Sequence, residues 1–119
     1  MRFFRFAVLA LLMLLPPFCF AEDYVRLGVQ AMEKKDYGKA MEWFLKGDAQ
    51  NNPWAQSGVA SLYLSGLGVA QDYDKAHEWL LKAASQNNGY ALYTLGNLYG
   101  AGHGVKKDAD KALEWHRKA

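Results

Sequence analysis

Few side chains of this chain could do chemistry near neutral pH. His77, His103 and His116 are its only histidines, the residue type whose ordinary pKa suits acid–base work there. None has a second histidine or a carboxylate at a zinc-site spacing such as H-E-x-x-H. Each reads as a surface histidine, and His103 stands between two loop glycines as an exposed insert. Ser57, Ser61, Ser65 and Ser85 lack the G-x-S-x-G elbow that activates a nucleophile. Gly66-Leu67-Gly68 and Gly102-His103-Gly104 look like phosphate-binding turns. They lack the third glycine, the lysine and the preceding strand that phosphate cradling uses. No catalytic residue, metal ligand or cofactor is expected, and the chain reads as non-enzymatic.

What the glycine pairs do instead follows from the elements around them, because the body of the chain repeats every 36 residues. Ala55 falls on Ala91, Tyr63 on Tyr99, Gly66 and Gly68 on Gly102 and Gly104, and Asp72 on Asp108. Lys75-Ala76 matches Lys111-Ala112, Glu78-Trp79 matches Glu114-Trp115, and Lys82-Ala83 matches Lys118-Ala119. A third copy lies upstream, with Asp36-Tyr37, Lys39-Ala40, Glu42-Trp43 and Lys46 each 36 residues before their equivalents. Fixed-period similarity on this scale is the signature of a solenoid.

Each copy reads as two helices. Ala55, Val59, Ala60, Leu62 and Tyr63 follow the spacing of an amphipathic helix. Asn52-Pro53 supplies an N-cap and a proline at the first helical position, and Gly66 closes the last turn. Asp72 then caps a second helix with Ala76, Trp79, Leu80 and Ala83 on its inner face. Glu42/Lys46, Glu78/Lys82 and Glu114/Lys118 are i,i+4 pairs in the favourable order, expected on solvated faces and worth about 0.2–0.5 kcal/mol each. Trp43, Trp79 and Trp115 recur at one second-helix position and read as packing residues. Helices are expected at 23–34, 37–49, 53–65, 73–86, 90–101 and 109–119.

The string from Ala55 through Tyr63, Gly66, Gly68, Asp72, Lys75-Ala76, Trp79 and Lys82-Ala83 to Gly89 resembles the Sel1-like repeat, a relative of the tetratricopeptide repeat. The string from Ala91 through Gly96, Tyr99, Gly102, Gly104, Asp108 and Lys111-Ala112 to Trp115 resembles it more closely still. The resemblance divides the chain into an N-terminal tetratricopeptide-like capping repeat at 22–52 and Sel1-like repeats at 53–88 and 89–119. In the first copy Gln30 and Met32 replace the loop glycines, and the inter-helix loop is about four residues shorter. The resemblance implies an all-α solenoid of antiparallel helix pairs wound into a right-handed superhelix, used as a protein-interaction scaffold or adaptor. The last helix has nothing beyond Ala119 to cover it: its outer face is polar, or docks onto another chain by self-association, or the array continues.

In tetratricopeptide relatives the first helix of each pair lines the concave face. Carried over, that face would present Trp54, Ser57 and Ser61 from the second pair and Tyr90, Tyr93 and Asn97 from the third. Val25, Val29 and Met32 would come from the first. Trp54 and Tyr90, 36 residues apart, are either groove anchors for a peptide or helix, or residues that pack against the neighbouring pair. Some secreted Sel1-like relatives have been linked to β-lactam hydrolysis or penicillin binding, which makes a cell-wall-directed enzyme or peptidoglycan binder the alternative reading. Those relatives resemble arrays with a cysteine pair in each repeat, and residues 22–119 contain no cysteine.

The first 21 residues are of another kind. Arg2 and Arg5 precede an uninterrupted apolar run from Phe6 to Leu15, followed by Pro16-Pro17 and the small residues Cys19 and Ala21. This describes a signal peptide cut after Ala21, and hence a periplasmic or secreted protein. A membrane anchor fits less well, since a span needs about 20 apolar residues. Phe18 and Pro16 break the lipobox that would acylate Cys19. Of 14 Lys and Arg, the leader takes two, leaving 12 against 12 Asp and Glu. A neutral mature chain has no electrostatic footprint for nucleic acid or for an anionic membrane surface.

Overall fold

The computed structural model describes residues 20–119. The expected leader therefore lies almost wholly outside the described residues, as does Cys19. Six helices follow one another: α1 (Phe20–Glu33), α2 (Tyr37–Ala49), α3 (Pro53–Ser65), α4 (Tyr73–Ala84), α5 (Gly89–Ala101) and α6 (Ala109–Lys118). Among the described residues there is no strand. The helices stack as the pairs α1/α2, α3/α4 and α5/α6, an all-α solenoid.

Local chemistry sets the boundaries. Asp36, Asp72 and Asp108 each accept a hydrogen bond from the backbone N–H three residues on, at 3.3, 3.0 and 3.1 Å, which starts α2, α4 and α6. Asn52 and Asn88 do the same for α3 and α5, accepting from Trp54 and Ala91 at 2.9 and 3.0 Å. Gly66 and Gly102, with φ of 64° and 74°, close α3 and α5.

Three non-glycine residues, Lys35, Asn51 and Asn87, also hold positive φ. Each is followed by the N-cap of the next helix, whose backbone N–H bonds back to Ala31, Gly47 or Ala83. One tight turn thus ends one helix and starts another. It also explains why α4 stops at Ala84 rather than running to 86: Asn87 has already turned left-handed. The link between α1 and α2 is residues 34–36, against 66–72 and 102–108 in the later pairs, so the first loop is four residues shorter.

Packing runs from each pair to the next. Ala31, Ala40, Phe44, Val59 and Leu62 form one buried cluster, and Ala60, Leu80, Ala83, Leu92, Leu95 and Leu98 contribute to a second. Half-buried Trp79 packs against both clusters. The inter-helix loops take part as well. Gly68 (φ 72°) sits so close to Tyr37 that a Cβ there would lie 2.8 Å from the tyrosine Cβ, and Gly104 (φ 70°) sits on Tyr73 in the same way. The loop of each later repeat is therefore seated on the start of the preceding second helix.

A polar clasp joins the first two pairs. The buried Gln56 side chain donates to Asp48 and Asn51 at 3.0 and 3.1 Å and accepts from Gln86 at 3.2 Å. Lys82 pairs with the same Asp48 at 3.1 Å.

The expected Glu42/Lys46, Glu78/Lys82 and Glu114/Lys118 ion pairs are not made among the described residues. Lys46, Lys82 and Lys118 instead lie over the indole three residues earlier, 4.7, 4.5 and 4.9 Å from the rings of Trp43, Trp79 and Trp115. The magnitudes favour this: an ammonium over tryptophan is worth about 0.5–1 kcal/mol at an exposed site, more than an exposed i,i+4 pair.

Candidate functional site: a concave groove

A groove of about 350 Å³ opens where the first helices of the pairs face one another. One wall is Val25, Val29 and Met32 of α1; the other is Trp54, Ser57 and Ser61 of α3. Tyr90 of α5 stands at one end, and Phe44 lies beneath Gly58 as the floor. Both walls use the i, i+3/i+4, i+7 stripe of a helix, so seven residues, roughly 10 Å, run along each. The rim is exposed apolar surface: Val29, Trp54 and Tyr90 retain 44%, 58% and 42% of their accessible area.

The floor depends on two glycines. A Cβ on Gly58 would come 2.7 Å from the Phe44 ring, and one on Gly28 would come closer still. The large ring of α2 therefore fills the space that side chains at 28 and 58 would take.

The groove is also without charge. Neither α3 nor α5 carries an Asp, Glu, Lys, Arg or His. Its two serine hydroxyls are committed internally. Ser57, 3% exposed, donates to Asn88 Oδ1 at 2.9 Å, and Ser61 donates to the Gly58 carbonyl at 2.7 Å.

Of the residues expected on the concave face, Trp54, Ser61 and Tyr90 line the groove together with Val25, Val29 and Met32. Ser57 lies in the groove wall too, but it is buried and its hydroxyl ties α3 to the N-cap of α5. Tyr93 and Asn97 are not among the groove-lining residues. They face α6, where the Tyr93 ring lies 5.5 Å from that of His116, and His116 Nε2 is 3.2 Å from Asn97 Oδ1. His116 occupies the repeat position of Leu80 and Phe44, so a polar side chain stands where the earlier pairs bury an apolar one. The residues missing from the sequence reading of this site are Phe44 and Gly58. Two glycines at helix-interior positions were the available signal.

His103 and His116 are exposed, as expected of surface histidines, whereas His77 is not. His77 is half-buried, its ring edge-on to Tyr99, with Nε2 3.3 Å from the tyrosine hydroxyl. Burial holds its pKa below the ordinary histidine value, partly offset by the carboxylates of Asp74 and Glu78. His103 is exposed but stacks on Tyr73 at 4.9 Å. Among the described residues no group of three His, Cys, Asp or Glu could hold a metal ion, and no helix is long and apolar enough to cross a membrane.

Stacked helix pairs with a groove along their first helices define an α-solenoid repeat protein. Within that class, the Sel1 repeat profile matches residues 26–52, 55–88 and 89–119, so the chain belongs to the Sel1 repeat family. The profile includes the shortened first copy. The structure is similar to that of a Sel1 repeat protein from Oxalobacter formigenes, with a TM-score of 0.73 and 40% identity over 76% of this chain. It is also similar to c5321, described as a protective antigen present in uropathogenic Escherichia coli strains and displaying an SLR fold. Here the TM-score is 0.77 and the identity 28% over 83% of this chain. The chain spans 37% and 22% of the lengths of those two proteins. No curated protein matches the sequence. Sel1 repeat proteins generally mediate protein–protein interactions, and the family is typically non-enzymatic.

Proposed function

We propose that this chain is a periplasmic or secreted interaction module that binds a peptide or helix along its concave groove, as a scaffold or adaptor. The observation that carries the reading is the groove itself: an uncharged, apolar channel rimmed by exposed Trp54, Tyr90 and Val29. Large rigid aromatic surfaces of this kind often dominate binding energy. Isolated exposed apolar residues are ordinary, whereas a contiguous apolar patch marks an interaction surface. The compartment rests on the leader, with cleavage after Ala21.

The test is crosslinking pull-down from envelope extract with the tagged, exported protein beside a Trp54→Ala/Tyr90→Ala variant of matched helicity. A partner retained by the first and lost by the second supports the groove. Equal recovery by both refutes it. Intact mass of the exported protein checks the compartment: a species still carrying residues 1–21 refutes cleavage.

A further inference from the structure

We infer that the groove takes its ligand as a helix, an amphipathic segment presenting an uncharged apolar face, and not as an extended peptide. The inference rests on the concave-face reading and narrows it. Its ground is an account of hydrogen-bonding groups. An extended peptide arrives with an N–H and a C=O at nearly every residue, and each group that is buried without a partner costs free energy. Grooves that take extended chains supply those partners from side chains or from an open strand edge. This groove supplies almost none. The Ser57 and Ser61 hydroxyls donate internally to Asn88 and Gly58, α3 and α5 have no charged residue, and the walls from α1 are Val25, Val29 and Met32. The polar atoms left at the rim, Trp54 Nε1 and Tyr90 Oη, both lie near the N-terminal ends of their helices.

A helix satisfies its own backbone and presents only side chains, so it can fill an apolar channel without that penalty. The two walls suit it in shape. Val25, Val29 and Met32 stand at i, i+4, i+7 on α1, facing Trp54, Gly58 and Ser61 at i, i+4, i+7 on α3. Two such stripes with a gap between them accept a third apolar stripe of the same period. Gly58, having no side chain, leaves room for the Phe44 ring that floors the channel between the two stripes. The missing charges fix the rest: the partner's charged residues lie on the face turned away, and its affinity does not depend on salt.

The probes are three labelled synthetic peptides. One is a 16-residue helix with apolar residues at i, i+3, i+4 and i+7, the second is the same sequence with a central proline, and the third is an uncharged β-branched extended peptide of equal apolar content. Fluorescence anisotropy measures each against the full chain as the cell exports it, against Val29→Lys/Trp54→Lys, and against Tyr90→Lys as a second variant. The helix is expected to bind at least tenfold tighter than the proline peptide and to lose at least tenfold in the double variant. Its affinity is expected to stay within twofold between 50 and 500 mM NaCl. An extended peptide that binds as well as the helix, and is blocked by both variants, overturns the helix while leaving the concave-face reading intact. Helix binding that neither variant weakens overturns both. Dimers of the unmutated protein that the variants dissolve would put a second copy in the groove and overturn the partner helix. No binding by any peptide also overturns the inference.

Discussion

The contact between Gly28 and Phe44 makes a sharp prediction, because the second repeat solves the same problem differently. Gly28 and Phe44 correspond to Ala60 and Leu80, a larger residue on the first helix facing a smaller one on the second. Gly28→Ala alone adds a methyl where the Phe44 ring already stands. Overpacking of this kind costs about 1–3 kcal/mol, and the gain of alanine over glycine inside a helix returns about 1 kcal/mol. The net loss is therefore roughly 0–2 kcal/mol. Phe44→Leu alone vacates part of a fully buried site and costs about 1–2 kcal/mol. In the double variant the new methyl occupies space that the ring has left, the overpacking disappears and the helix gain remains. Its stability is expected within about 1 kcal/mol of the unmutated protein, with a favourable coupling of about 1–3 kcal/mol. Urea unfolding followed by far-UV circular dichroism on the four proteins closes the cycle. Additivity to within about 0.5 kcal/mol would refute the packing argument, since it would mean that ring and methyl never compete.

Three further expectations follow from particular residues. Lys35→Gly should stabilise by about 0.5–1 kcal/mol, because Lys35 holds a φ of 60° that glycine adopts freely; an unchanged urea midpoint would count against it. Glu78→Gln should leave the midpoint within about 0.5 kcal/mol, while Lys82→Ala should cost about 1 kcal/mol through the Trp79 face and Asp48; equal effects would restore the Glu78/Lys82 pair. Burial lowers the pKa of folded His77, so the unfolded chain takes up the proton first as pH falls. That stability is complete above the ordinary histidine value of about 6.5 and declines below it, and unfolding from pH 7.5 to 5 with a His77→Gln control should show the difference flatten in the control.

The repeat was legible because its period is carried by residues with local jobs. Asp36, Asp72 and Asp108 cap helices, Gly66 and Gly102 end them, and each does so through neighbours three or four residues away. Helix positions consequently agree with the sequence to within three residues at every end. What was not legible depends on more than one pair at once. Ser57 and Tyr93 share a register position, and the register alone treats them alike. In the structure, α5 lies beside Ser57 and buries it, while α6 and His116 lie beside Tyr93. Phe44 is similar: its ring meets glycines on two other helices, and no spacing within α2 announces that. The lysines failed for another reason. Glu at i−4 and Trp at i−3 are equally near in sequence, and only the relative strength of the two contacts decides between them.

The distribution of charge across the two helix layers argues for where a partner docks. The second helices α2, α4 and α6 each carry Lys, Asp and Glu, whereas α3 and α5 carry no charge. Helix α1 has Glu22, Asp23, Arg26 and Glu33 but gives the groove only Val25, Val29 and Met32. Solubility alone would place charge on any solvent-facing surface, and the groove faces solvent. Leaving Val29, Trp54 and Tyr90 exposed there works against solubility. Gly58 adds a cost of its own, about 1 kcal/mol relative to alanine in a helix interior. The structure turns that cost to account by letting the Phe44 ring reach the groove floor. The glycine is accounted for by the Phe44 ring packed against it. The exposed apolar rims fall on one 350 Å³ channel, and the proposed capture of an apolar helix is a use that accounts for them.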